Sequence, residues 1–270
     1  MRTHGRTLIN TPDIELWPGG LLRARASVDA RVLARARWVL RRKHDGGFLA
    51  ADLLEGLLPL VPRLMHEVGI ETALDALEAW RSPSRRSAAS HAAAAMTLPL
   101  GDLLPRRQRL GLDHAYGERC GLALVPEPVA LVFAGFDRYR RALWLRPDAA
   151  RAWTAMRSEA ARDGVALEPI SGYRSHAYQL GIFERKLARG QSVEDILRVN
   201  AAPGYSEHHS GRALDIGTPG EPPAEESFEA TPAFEWLQRN AGGHGFFMSY
   251  PRDNPHGIDY EPWHWICRDD

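Results

Sequence analysis

The chain has 270 residues, of which 44% are hydrophobic, so it is long enough for one large globular domain or two ordinary ones. Its 34 basic and 34 acidic side chains balance to a formal net charge of zero, which removes the charge argument for nucleic acid or a membrane surface as a partner. No segment has the length of a transmembrane helix, and the basic start is not followed by the apolar run of a secretory signal. Taken at face value, this predicts a cytoplasmic protein, or a periplasmic or wall-associated one only if another route exports it.

The first region, residues 1–112, has apolar residues at helical intervals. They recur in this way over residues 27–42 and 52–80. Four leucines of the second stretch would share one helical face: Leu53, Leu57, Leu60 and Leu64. Because two prolines must kink or split that stretch, it is interpreted as two helices. The sequence predicts a mostly helical N-terminal region, and nothing in it indicates a role.

The second region, residues 113–270, alternates short strands with helices. Strands are predicted at 165–170, 212–216, 245–250 and 263–265, with a further apolar stretch at 122–132. Helices are predicted at 148–163 and after Ser175, Ser192 and Thr231. A small antiparallel sheet flanked by helices gives this region an α+β fold.

Two short segments near the C-terminus carry the side chains of a catalytic metal site. One, residues 206–215, contains His208 and Asp215, and the other contains Glu261 and His264. A structural zinc is normally held by four protein ligands, whereas a hydrolytic zinc has three and keeps one position for water. The segments therefore predict one zinc ion per chain on the two histidines and the aspartate. The glutamate is the candidate base that takes a proton from the water.

The local pattern around these residues supports that interpretation. Gly211 interrupts any helix through the first segment, and the alternation after it places Asp215 on one face of a strand. His264 lies between two tryptophans that would point to the opposite face. His208 and His209 are neighbours, so in an extended segment only one of them can face a metal. Any single histidine could be an ordinary turn residue, and only the combination favours a metal site.

Three ordered blocks of the second region resemble the VanY-like D-alanyl-D-alanine carboxypeptidases. Residues 206–215 fit the pattern Ser-x-His-x-x-Gly-x-Ala-x-Asp, which selects His208 as the ligand, and residues 261–264 fit Glu-x-x-His. Residues 171–175, Ser-Gly-Tyr-Arg-Ser, followed by Gln179, resemble the substrate-side motif. The resemblance covers most of the second region. It implies the fold of the lysostaphin-type and hedgehog-type zinc domains.

The resemblance also implies a substrate and the residues that bind it. Its members are zinc peptidases that trim the C-terminal D-alanine from peptidoglycan stem peptides or muropeptides. Arg174 lies between a predicted strand and a helix cap, where a guanidinium could bind a substrate carboxylate or the oxyanion of a tetrahedral intermediate. Gln179, donating to a carbonyl or carboxylate, and then Ser206 and Ser175 are the further candidates for substrate binding.

Several alternatives stay open from the sequence. The scissile bond could be the D,D bond of a pentapeptide or the L,D bond of a tetrapeptide. The same fold could support a cross-link endopeptidase, a D-alanyl-D-alanine dipeptidase or a non-catalytic wall-peptide binder, although the presence of Glu261 argues against lost activity. Cys120 and Cys267 could pair across the second region, but two unpaired thiols fit the composition better. The oligomeric state is not indicated.

Overall fold

The computed structural model describes residues 6–24, 26–81, 96–101 and 103–268. The chain divides into two compact units, one formed by residues 1–99 and 127–133, the other by residues 100–126 and 134–270. The second unit thus begins before the boundary that the sequence suggested at residue 112, and a short later segment belongs to the first unit. Within the described ranges, no helix has the length and apolar character that crossing a membrane requires.

The first unit is built on an antiparallel sheet. Its strands are β1 (Thr7–Asn10), β2 (Ile14–Pro18), β3 (Trp38–Arg42), β4 (Phe48–Leu53), β5 (Gly56–Pro59) and the start of β6 (Ala130–Phe136). They are ordered β5-β4-β3-β2-β1-β6, and each neighbouring pair is antiparallel. The helices of this unit are α1 (Ser27–Arg35) and α2 (Ile70–Arg81). The apolar face of α2 shares one buried cluster with the sheet, which forms the core of this unit.

The prediction of a mostly helical N-terminal region is wrong. Helix α1 ends at Arg35, and residues 38–42 and 48–53 are paired strands joined by a turn at Gly46, where φ is 71°. The first three residues of β3 are all buried, so this strand lacks the alternation that distinguishes a strand from a helix in sequence. The Asp-Gly turn that precedes β4 was the signal that could have separated the two strands. Two parts of the predicted stretches are helical as expected: α1, at the start of the first, and α2, at the end of the second.

The second unit contains a smaller antiparallel sheet. The strands of this unit include β7 (Ala142–Leu145), β8 (Glu168–Ser171), β9 (Ala213–Gly217), β10 (Phe246–Met248) and β11 (His264–Cys267). The sheet that concerns the site has the order β10-β11-β9-β8. The helices are α3 (Leu103–Arg109), α4 (Tyr116–Cys120), α5 (Pro147–Arg162), α6 (His176–Leu187), α7 (Val193–Arg198) and α8 (Pro232–Asn240). The α+β fold predicted for this part of the chain is confirmed.

Local signals explain why the helices of this unit begin where they do. Ser175, Ser192 and Thr231 each accept a hydrogen bond from a backbone N–H in the first turn of α6, α7 and α8, as N-cap residues do. In α5, Trp153, Met156 and Ala160 form a stripe that is completely buried. Cys120 and Cys267 are both free thiols, so the possible disulfide between them is absent from the structure.

Candidate active site

The three predicted metal ligands lie together in the second unit. His208 is in a short 3₁₀ turn (Glu207–Ser210), Asp215 is in the centre of β9, and His264 is the first residue of β11. Oδ1 of Asp215 lies 3.2 Å from Nε2 of His208 and 3.1 Å from Nδ1 of His264. All three side chains are buried, and one ligand atom from each lies within 4.8 Å of the others. The structure therefore brings two nitrogens and one oxygen to a common point.

Two features of the backbone produce this convergence. The register of the sheet pairs His264 directly with Asp215 across β11 and β9. Gly211 ends the 3₁₀ turn in the left-handed region, with φ of 70°, and its N–H donates to the carbonyl of His208 at 3.2 Å. A residue with a side chain is strained at this angle, so glycine suits the reversal that returns the chain from His208 to β9.

His209 faces away from the cluster and holds the neighbouring backbone. Its Nε2 accepts the N–H of Gly204 at 3.1 Å, which leaves the proton on Nδ1 to be donated to the carbonyl of Arg174 at 2.7 Å. The ring also packs edge-on against His176, with 4.4 Å between ring centroids. The side chain is completely buried. His209 is therefore a supporting residue for the loop that carries His208.

Each histidine of the cluster has a hydrogen-bond partner on the side away from Asp215. Nδ1 of His208 donates to the carbonyl of Gly172 at 2.7 Å. Nε2 of His264 lies 2.9 Å from Oε2 of Glu207. These contacts leave Nε2 of His208 and Nδ1 of His264 to point towards Asp215. Sequence reasoning missed Glu207, which occupies an unspecified position of the motif.

The donor set fits a zinc ion. Tetrahedral zinc with bonds of about 2.0–2.1 Å separates its ligand atoms by roughly 3.3 Å. The nitrogen-to-oxygen distances of 3.1 and 3.2 Å in the cluster match that spacing. Imidazole nitrogen and carboxylate oxygen are both common zinc ligands, and three protein ligands leave one position for water. His208, Asp215 and His264 could therefore hold a metal ion of this type.

Charges in the cluster shift its pKa values in opposite directions. Burial opposes ionisation of Asp215, but the charges of His208 and Arg174 outweigh it and hold the pKa of this carboxyl well below its usual range. Burial and the charge of Arg174 lower the pKa of His208 to about 4. Burial alone would lower the pKa of His264, but its bonds to Asp215 and Glu207 raise it to about 10.

Glu261 lies beside this cluster. Its Oε2 is 3.8 Å from Nδ1 of His264, and its side chain is 14% exposed. The backbone N–H of Glu261 donates to the carbonyl of Tyr250 at 3.0 Å, and its own carbonyl accepts the N–H of His264 at 3.1 Å. Burial raises the pKa of the carboxyl to about 7, and the charge of His264 only partly offsets this. The group can therefore change protonation state near neutral pH.

Arg174 lies shortly after the end of β8 at Ser171 and points into the same cluster. Its guanidinium donates through Nε to Oγ of Ser171 at 3.0 Å and through Nη2 to Oδ2 of Asp215. Its backbone N–H donates to the carbonyl of His208 at 3.2 Å. A surface salt bridge would be the ordinary role of an arginine, but this side chain is mostly buried against the proposed ligands.

A cleft of about 410 Å³ opens onto the cluster. The predicted residues among those that line it are His208, Asp215, His264, Glu261, Arg174, Gln179 and Ser206. Ser175 is not one of them, and its hydroxyl instead accepts the N–H of Tyr178 at the start of α6. The expectation that Ser175 binds substrate therefore has no support in the geometry, because the motif requires this serine as a helix cap.

Gln179 lines the cleft in a different manner from the one expected. Its Nε2 donates to the carbonyl of Ala201 at 3.0 Å, while Oε1 is buried without a hydrogen-bond partner. Gln179 therefore uses its amide donor on the backbone and keeps an unpaired acceptor that is buried. A buried acceptor without a partner is costly, so a ligand N–H at this position would be favourable.

Tyr250 is a second residue that sequence reasoning missed. It lines the cleft, and its ring centroid lies 4.8 Å from that of His264. Burial and the nearby carboxylates of Glu207 and Glu261 raise the pKa of its hydroxyl far above the usual value, so it keeps its proton. It lies just after β10, and no pattern in the sequence identified it.

The arrangement of an α+β domain, a buried His–Asp–His cluster, an adjacent carboxylate and an open cleft is typical of zinc-dependent hydrolases. The family model of VanY, D-alanyl-D-alanine carboxypeptidase, matches residues 142–268, which contain the whole cluster and Glu261. Over these residues, the chain is similar to the VanY-like D-alanyl-D-alanine carboxypeptidases.

Individual relatives match a little under half of the chain. A protein named as a carboxypeptidase, YodJ of Bacillus subtilis (strain 168), is 33% identical over 132 residues, which are 48% of this chain and 48% of YodJ. A D-alanyl-D-alanine carboxypeptidase of Enterococcus faecium is 32% identical over 126 residues, which are 45% of this chain and 37% of that enzyme. The matched part of the chain thus spans half or less of the length of these curated relatives.

The solved structures that are similar include a VanY D,D-pentapeptidase from a VanB-type vancomycin resistance cassette in complex with Zn(II). It is 28% identical, with a TM-score of 0.40, and the match covers 46% of this chain and 72% of that one.

Proposed function

We propose that the second unit is a zinc-dependent carboxypeptidase that removes the C-terminal D-alanine from peptidoglycan stem peptides. The observation that carries the proposal is the buried cluster of His208, Asp215 and His264, which faces a cleft beside Glu261. The match to the VanY family model and the name of the Enterococcus faecium relative support the substrate class.

The cluster would hold one zinc ion on Nε2 of His208, Nδ1 of His264 and the carboxylate of Asp215. Bound there, zinc would supply Lewis acidity, which lowers the pKa of water and polarises a carbonyl group. The burial of all three ligands favours this use, because a low-dielectric site strengthens electrostatic stabilisation of the transition state.

Glu261 is the candidate general base. A base is most effective when its pKa lies close to the working pH, and burial places the pKa of Glu261 at about 7. Its carboxylate would accept a proton from the attacking water as oxygen bonds to the carbonyl carbon. It would then deliver that proton to the leaving amine as the carbon–nitrogen bond breaks. The products are free D-alanine and a stem peptide shorter by one residue.

The remaining cleft residues supply recognition of the peptide. Arg174 can donate to the oxygen that becomes negative in the transition state or to the terminal carboxylate, because its planar donors match two oxygens. Ser206 and Tyr250 add hydroxyl groups to the cleft lining. A free carboxylate and an amide therefore both have complementary groups in the cleft.

The test is digestion of defined muropeptides by the zinc-loaded full-length protein, read by mass spectrometry. The substrates are a monomeric pentapeptide, a monomeric tetrapeptide, a cross-linked dimer and free D-alanyl-D-alanine. We expect one alanine to be lost from a monomer, and the monomer that reacts distinguishes the D,D from the L,D bond. Cleavage of only the dimer would show an endopeptidase, and of only the free dipeptide a dipeptidase. Peptide binding without reaction would show a non-catalytic binder.

A Glu261→Gln variant should keep zinc and fold but lose turnover by a factor of ~10²–10⁴, since its amide cannot accept the proton. Glu235→Gln is a matched control, because Glu235 is exposed on α8, where it pairs with Arg239 at 3.0 Å. It should be as active as the wild type. A Glu261→Gln variant that turned over at the wild-type rate would remove this residue from the mechanism.

A further inference from the structure

Glu207 makes two hydrogen bonds through one carboxylate oxygen. Oε2 lies 2.9 Å from Nε2 of His264, and Oγ of Ser249 donates to the same oxygen at 2.6 Å. The side chain of Glu207 is 22% exposed, and it is not among the residues that line the cleft. Glu207 therefore contacts His264 through the ring nitrogen that faces away from Asp215 and does not line the cleft.

These contacts determine which nitrogen of His264 can bind a metal. A neutral imidazole has one N–H and one lone pair, and only the lone pair can be a ligand. The carboxylate of Glu207 can only accept a hydrogen bond, so it favours the tautomer of His264 that carries its proton on Nε2. The lone pair of that tautomer is on Nδ1. Nδ1 is the nitrogen that lies 3.1 Å from Asp215, on the side of the cluster.

The two histidines of the cluster are supported differently. The ring of His208 is oriented by a neutral backbone carbonyl, that of Gly172, at 2.7 Å. The ring of His264 is oriented by a carboxylate, which is a stronger acceptor and adds negative charge close to the metal site. A carboxylate behind a histidine ligand fixes the ring and makes the nitrogen that faces the metal more basic. Metal binding by His264 should therefore depend more on its hydrogen-bond partner than metal binding by His208 does.

Ser249 contributes to the same arrangement. Without it, Glu207 would be held only by the imidazole that it orients, and a glutamate side chain can rotate about three bonds. The hydroxyl of Ser249 fixes Oε2 from a second direction. Ser249 follows β10 directly, and β10 pairs with β11, so the hydroxyl and the ring come from neighbouring strands.

We propose that Glu207, held by Ser249, is a positioning residue that orients His264 with its proton on Nε2 and thereby strengthens metal binding at the cluster. The proposal rests on the proposed zinc site but not on the identity of the substrate.

The test measures the dissociation constant of Zn²⁺ itself, by competition with a chromophoric chelator, on full-length variants. Glu207→Ala should weaken zinc binding by a factor of ~10–100, the usual cost of losing the partner of a histidine ligand. Glu207→Gln keeps an oxygen acceptor but loses the charge, so its affinity should fall between those of the wild type and the alanine variant. Ser249→Ala should weaken binding by a smaller factor, and Glu235→Gln should not change it.

The melting temperatures of the metal-free variants separate positioning from folding. A positioning role predicts weaker zinc binding in variants that remain folded without metal, with partial rescue by glutamine. If the alanine variant does not fold, Glu207→Gln and Ser249→Ala decide the question. Zinc affinity within twofold of the wild type in the folded variants would overturn the proposal. Wild-type protein that binds zinc but cleaves no muropeptide would instead refute the proposed function and leave this inference standing.

Discussion

Replacing Glu261 by glutamine should make the metal-free protein more stable at high pH and leave it unchanged at low pH. Burial raises the pKa of this carboxyl from its ordinary value of 4.5 to about 7. Below pH 4.5 the group is neutral in both the folded and the unfolded chain, so it causes no penalty. Above pH 7 it is charged in both, and the folded state carries the full cost of burying the charge. Stability is therefore lost as the pH rises between these two values.

The size of the effect follows from the shift. Each pKa unit corresponds to about 1.4 kcal/mol, so a shift from 4.5 to about 7 costs the folded state about 3 kcal/mol at high pH. Part of this cost is already present at pH 5, because the unfolded carboxyl is then mostly ionised. Between pH 5 and pH 8, the free energy of unfolding of Glu261→Gln should rise relative to the wild type by about 2–3 kcal/mol.

The assay is urea unfolding of both proteins in excess chelator at pH 5, 6, 7 and 8. His264 also has a raised pKa, so it stabilises the fold below its unfolded value of 6.5 and loses this contribution as the pH rises towards 10. Both proteins contain His264, so comparing them isolates the effect of Glu261. Glu235→Gln is the control for a change at an exposed glutamate, and its difference from the wild type should not depend on pH. A difference for Glu261→Gln that is constant with pH, or that has the opposite sign, would refute the assignment of a buried, neutralised carboxyl.

Three other predictions concern the ligands, the cleft arginine and the first unit. His208→Ala and His264→Ala should each lose stoichiometric zinc by elemental analysis, and full zinc content in both would contradict the ligand assignment. Arg174→Lys should keep zinc and its melting temperature but lower kcat/KM at least ~10-fold, because lysine lacks the planar guanidinium that binds two oxygens. An unchanged kcat/KM would remove Arg174 from the mechanism. The ion pair between Nζ of Lys43 and Oε2 of Glu127, at 2.5 Å, is almost completely buried, so Lys43→Met should destabilise the first unit by about 3–5 kcal/mol. The double variant Lys43→Met/Glu127→Leu should recover most of that loss in denaturant unfolding, and no recovery would mean that the lysine acts through other contacts.

The elements of the second unit could be predicted because their signals are local. Ser175, Ser192 and Thr231 cap helices through bonds that reach only three residues along the chain. Gly211 and the alternation that follows it placed Asp215 on a strand, and the structure brings it together with both predicted histidines. Their role as zinc ligands remains a prediction, as does the catalytic role of Glu261.

The first unit could not be predicted in the same way. Helical spacing and a buried strand give the same pattern when every residue of a short stretch is apolar, as at the start of β3. The choice between them depends on a neighbouring strand, and β1 finds its partner β6 more than a hundred residues later in the chain. Pairing over such a separation leaves no periodic signal in either segment.

The supports of the site were also beyond the sequence. Glu207 occupies a variable position of its motif, and its partners Ser249 and His264 lie 42 and 57 residues away. Tyr250 and Gln179 line the cleft because of how the chain packs around it. The ligand types and their spacing can be recognised in the sequence, since zinc chemistry restricts the ligands to a few residue types. Which groups orient those ligands depends on three-dimensional packing, because any buried acceptor can hold an imidazole and many residues could supply one.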